Sequence, residues 1–91
     1  MQIRWTPAAA AALEHIKDYL DDHNPHLAQP TVRRLYATIC SLKALPRRGR
    51  EGSEQNTREL ICAPLPYIVV YRVTDESVQI LHIKHTSQDW P

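Results

Sequence analysis

The sequence contains no phenylalanine and only two glycines, Gly49 and Gly52. A core built without Phe must rest on Leu, Ile, Val, Ala, Tyr and Trp, and two glycines leave few places for tight turns at positive φ. Cysteine is as sparse. Cys40 and Cys62 are too few for a disulfide framework and lack metal-ligand spacing, so they read as reduced, mostly buried thiols. No apolar run approaches the roughly 20 residues that span a bilayer, and no charged-then-apolar signal segment opens the chain. The expectation is a cytoplasmic protein without a membrane partner. Nucleotide-binding glycine loops, HExxH pairs and Cys/His quartets are absent as well, so neither a cofactor nor a metal is expected. Ser53, Ser77 and Ser87 have no context resembling an activated nucleophile.

What is present is 91 residues, 43% hydrophobic and 23% charged, enough for a single domain spanning residues 1–91 with an adequate core. The net charge of +1 hides a segregation. Residues 14–22 set Glu14, Asp18, Asp21 and Asp22 against Lys17, a net of −3. Residues 33–58 set Arg33, Arg34, Lys43, Arg47, Arg48, Arg50 and Arg58 against Glu51 and Glu54, seven cations to two carboxylates and a net of +5. A patch of that sign concentrates an anionic partner, whether RNA, DNA or an acidic protein segment.

The pattern along the chain gives the architecture. Gln2 to Trp5 alternates as a short edge strand. Thr6-Pro7 opens a helix, Ala8 to about Asp22, with Ala9, Leu13, Ile16 and Leu20 on one face. His23-Asn24-Pro25 ends it. A second helix, starting at Pro25 or Pro30 and stopped by Pro46 at about Leu45, aligns Ala28, Val32, Leu35, Ile39 and Leu42. Pro46 to Asn56 reads as a polar surface loop.

Three strands follow. Thr57 to Cys62 is the first, and Tyr67 to Val73, apolar on both faces, reads as central. Ser77 to His85 is the third, and its apolar phase slips, which requires two covered faces or a bulge near Ile80. The predicted fold is α+β in the order β-α-α-β-β-β, a helical hairpin packed on a mostly antiparallel four-stranded sheet.

The side chains left to carry function are cationic or aromatic: Arg47, Arg48, Arg50, Arg58, Arg72, His82, Lys84 and His85, with Trp90 either stacking on a base or folding onto the core. A metal-independent ribonuclease needs a base for the 2′-OH, an acid for the leaving oxygen and cations for the phosphorane charge. His82 and His85 could move the protons, but an odd spacing puts them on opposite faces of a regular strand.

In order and spacing, one set of residues resembles the RelE/ParE superfamily of toxins from type II toxin–antitoxin modules over essentially the whole chain. They are Asn24-Pro25, Leu45-Pro46, Gly49-Arg50, Thr57-Arg58-Glu59-Leu60, Tyr67-Ile68-Val69-Val70-Tyr71-Arg72-Val73, and the closing Val78, Ile80, His85, Gln88, Trp90 and Pro91. The resemblance implies a growth-inhibiting toxin, of the kind that stabilises plasmids, silenced by a cognate antitoxin whose C-terminal segment wraps the sheet and helices. RelE-like members cleave mRNA on the ribosome; ParE-like members poison DNA gyrase.

RelE-like nucleases usually carry an arginine three residues before Tyr71, where this chain has Ile68. A lysine pair beside the basic cluster and an Arg-Tyr tail are also missing. The reading therefore inclines to ParE-like action, with target- or antitoxin-binding residues Arg47, Arg48, Arg50, Arg58, Tyr67, Arg72, Lys84 and Trp90. The alternatives are a ribonuclease using Arg50, Arg58, His82 and His85, or an antitoxin-binding module that has lost toxicity.

Overall fold

A computed structural model of the chain describes residues 1–88. The order is β1 (Gln2–Trp5), α1 (Pro7–His23), α2 (Pro25–Cys40), a 3-10 turn (Ser41–Lys43), β2 (Arg50–Glu51), β3 (Arg58–Ile61), β4 (Tyr67–Val73), β5 (Ser77–His85) and a second 3-10 turn (Thr86–Gln88). The strands form one sheet in the order β1-β5-β4-β3-β2, with β1 parallel to β5 and the other pairs antiparallel. The helical hairpin, the edge placement of β1 and the central placement of β4 agree with the pattern.

The sheet has five strands, not four. Arg50 and Glu51 pair with Glu59 and Arg58 to add β2 inside the segment read as loop. That segment holds no apolar alternation; it is drawn onto the sheet from outside. The Tyr71 hydroxyl donates to Pro46 O and accepts from Gly49 N, both at 2.8 Å, and Arg58 Nη1 donates to Gly49 O at 2.7 Å. Gly49 is glycine because a Cβ there would lie 2.8 Å from Glu59 O and from the Tyr71 ring. Neither glycine uses positive φ; Asn56 does, at 62°, in the loop between β2 and β3, a conformation that asparagine tolerates.

Of the two starts left open for α2, the helix takes Pro25 and carries Pro30 inside it. It ends at Cys40 rather than about Leu45, because the last turn tightens: Leu45 N and Ala44 N both reach Ser41 O, and Leu42 is driven fully into the core. Ala28, Leu35, Ile39 and Leu42 are buried as the spacing requires, and Val32 is half-buried. In α1 only Ala9 is fully buried, while Leu13 and Ile16 are half-buried against the core and Leu20 is half-buried beyond it.

The phase slip in β5 is a bulge. Val70 pairs with His82 and Tyr71 with Ile80, so Leu81 is the extra residue. This brings Val78, Ile80 and Ile83, all at most 3% exposed, onto the helix-facing side beside Val69 and Tyr71. Thr6 binds the bulge to α1. Its hydroxyl donates to Ile80 O at 2.7 Å and accepts from Ala9 N at 3.2 Å, so one side chain caps the helix and secures the kinked strand.

Candidate functional site

Strand alternation divides the cations that the sequence grouped together. Arg58 shares the helix-facing side with Leu60 and Tyr71, and its guanidinium is spent on Gly49 O and Arg47 O. Arg50, Glu59 and Lys84 meet on the other, helix-free face. Arg50 Nη2 lies 3.0 Å from Glu59 Oε1, and Lys84 Nζ lies 3.7 Å from Glu59 Oε2. The Glu59 carboxylate is 9% exposed, so it is a buried charge compensated from both neighbouring directions. Glu59 is not among the cationic, histidine and aromatic side chains that the sequence pattern singles out. Its signal was available, because in Arg58-Glu59-Leu60 an alternating strand must put Glu59 opposite Arg58.

Ile68, paired with Ile61 and Lys84, occupies the centre of that same face and is 4% exposed. Arg72 projects from the far end of β4, where it lines a polar recess with Arg47 and Arg58. Arg48 is held to the end of α2, donating to Ser41 Oγ at 2.7 Å. The bulge at Leu81 precedes both histidines and does not realign them. His82 pairs with Val70 on the helix-free face and is exposed. His85 pairs with Tyr67 on the other, its ring edge-on to the Tyr67 ring at 5.5 Å, and its Nδ1 accepts from Ser87 N at 3.1 Å. Trp90 lies outside the described residues.

A second feature was not anticipated. An open groove of about 890 Å³ runs between α1 and the β5 edge beyond β1, with Ala8, Ala11, His15, Ile16 and Tyr19 on one wall and Tyr67, His82, Ile83 and His85 on the other. Tyr19 is 56% exposed and stacks on His23 at 4.1 Å. The alanines of the first α1 turns let the groove approach the sheet. The pattern that could have revealed it is Ala8, Ala11, His15 and Tyr19, a small-and-aromatic stripe beside the Ala9–Leu13–Ile16–Leu20 core face.

Ionisation follows burial. Burial pushes the Cys62 thiol above its ordinary value near 9.0, partly offset by the Val69 backbone contact and the Arg48 charge. The Tyr67 phenol is raised by burial first and by Tyr19 second. Cys62 is therefore a core thiol rather than a nucleophile. A group that stays protonated longer when folded contributes stability below its unfolded pKa, and that contribution is lost as the pH rises past it. Melting temperature should fall above about pH 9, and Cys62→Ala should flatten part of that fall; a melting temperature independent of pH from 8 to 10.5 would contradict it.

Fold and site together define a small α+β protein, a helical hairpin packed on a five-stranded sheet, with an internally compensated Glu59 on the helix-free face and an apolar groove beside it. The chain belongs to the family of ParE toxins of type II toxin–antitoxin systems, whose model matches residues 3–90. It is 38% identical over 90 residues to a putative toxin, Y4kP, of Sinorhizobium fredii, covering 99% of this chain and 93% of that one. Toxin RelE2 of Caulobacter vibrioides is 38% identical over 87 residues, covering 96% and 97%. Among solved structures, the chromosomal ParDE system of P. aeruginosa superposes with a TM-score of 0.85 at 28% identity, over 93% of this chain and 95% of that one. The RelBE2 toxin–antitoxin complex of Mycobacterium tuberculosis shares the fold, with a TM-score of 0.62 at 22% identity over 92% and 95%.

Proposed function

We propose that this toxin arrests growth in the cytoplasm by a ParE-like action on DNA gyrase, and that a cognate antitoxin silences it. The observation that carries the reading is the state of the helix-free sheet face. A ribonuclease needs proton donor, proton acceptor and unengaged cations converging on one phosphate. Here Ile68 fills the centre, Glu59 engages Arg50 and Lys84, and the strand register turns His82 and His85 to opposite faces of β5, although both border the α1–β5 groove. An incoming phosphate would have to displace a buried carboxylate from its partners.

The antitoxin is assigned to the groove between α1 and β5. Its apolar walls accept the hydrophobic side of an amphipathic segment, and Tyr19 and Tyr67 supply aromatic anchors of the type that dominate binding energy. Induction of the toxin without antitoxin should raise a DNA-damage response and leave mRNA 5′ ends unchanged. New mRNA ends phased to the ribosomal A site, with no damage response, would assign the chain to RNA cleavage instead.

A further inference from the structure

We propose that the outer face of α2 is a docking surface for the phosphate backbone of duplex DNA, built by Arg33, Arg34 and Arg48. Arg48 lies beyond the end of the helix in sequence, but its bond to Ser41 Oγ folds the guanidinium back alongside α2. The three arginines line a shallow, open trough floored by Ala37, Thr38 and Ser41. All three are exposed, and among the described residues none is in an ion pair, in contrast to Arg50 and Lys84 on the sheet. Arg33 is steadied by Gln29 Oε1 at 3.1 Å, a neutral partner that leaves its charge uncompensated.

Shape and spacing choose the occupant. From Arg34 to Ser41 the helix advances about 10 Å, and with one guanidinium for each backbone phosphate the three arginines neutralise up to about three charges of the duplex. The small floor residues permit close approach of a backbone. They offer no large apolar side chain, so an amphipathic acidic segment gains only charge there, whereas the α1 groove offers it apolar area too. A polyphosphate loses nothing by that lack. The surface is separate from the antitoxin groove, and the proposal stands whether or not gyrase is the target.

The test is fluorescence anisotropy of the full chain with a 20-base-pair DNA duplex at several salt concentrations. About three phosphate contacts give a slope of log K against log salt of roughly −2.7. The triple variant Arg33→Gln, Arg34→Gln, Arg48→Gln should lose most of that slope and bind at least tenfold more weakly at low salt. Replacing the same three with Lys should retain the slope, and Arg4→Gln, on β1, should change nothing. Thermal melts of each variant separate lost charge from lost fold, and the Lys variant keeps the result interpretable if the Gln variant melts. No measurable binding, an unchanged slope in the Gln variant, displacement by polyglutamate at equal charge concentration, or tighter binding of duplex RNA would each overturn the assignment.

Discussion

Tyr71→Phe is expected to lower folding stability by about 2–4 kcal/mol, because it strips partners from the Pro46 carbonyl and from the buried Gly49 N–H at once. Tyr71 is fully buried, and the ring itself is retained, so the loss isolates the hydroxyl. For a domain of this size the corresponding fall in melting temperature is roughly 15 °C. Gly49→Ala should reach a similar loss by a different route, since its Cβ would press on the Glu59 carbonyl and the Tyr71 ring, both at 2.8 Å. The two changes break one lock, so the double variant should lose clearly less than the sum. Strict additivity in urea denaturation would show that Tyr71 and Gly49 act separately. The lock matters beyond stability because it holds β2 against β3, which is what carries Arg50 to Glu59.

Ala11→Trp should weaken antitoxin binding about 100-fold while leaving stability within roughly 0.5 kcal/mol. Ala11 is exposed on α1, so a larger side chain meets no core atoms, yet the residue lines the groove opposite the β5 edge. An indole there occupies the space that an apolar anchor of the antitoxin would fill. Isothermal titration of the variant with the cognate antitoxin measures the effect. Unchanged affinity would move the antitoxin to another surface, and a lower affinity accompanied by a lower melting temperature would mean that α1 itself had shifted.

Periodicity made most of the fold legible. Ala28, Leu35, Ile39 and Leu42 repeat at helical spacing, and each is at most 1% exposed. The slipped phase of β5 left two covered faces or a bulge near Ile80 open, and the sheet takes the bulge, at Leu81, because a strand with one buried face cannot change parity without an extra residue. β2 was not legible. Its two residues are polar and exposed, and they form a strand only because a tyrosine more than 20 positions later holds the preceding turn.

The cation cluster was legible as composition and misleading as geometry. Arg50 and Arg58 are eight positions apart in sequence, but their strands turn them to opposite faces of the sheet, one to a buried carboxylate and one to backbone carbonyls. Composition carries no face. Glu59 is the carboxylate that engages Arg50 and Lys84 on the helix-free side of the sheet.

The central claim is that Arg50, Arg58 and Lys84 are internal ties of the sheet and that toxicity runs through gyrase. Its most direct measurement adds the purified toxin to purified gyrase, supercoiled plasmid and ATP, and traps covalent gyrase–DNA complexes with detergent and protease. Linear plasmid should accumulate with toxin dose and be abolished by stoichiometric antitoxin. Unaltered supercoiling with no linear plasmid, from toxin that still arrests growth, would contradict it.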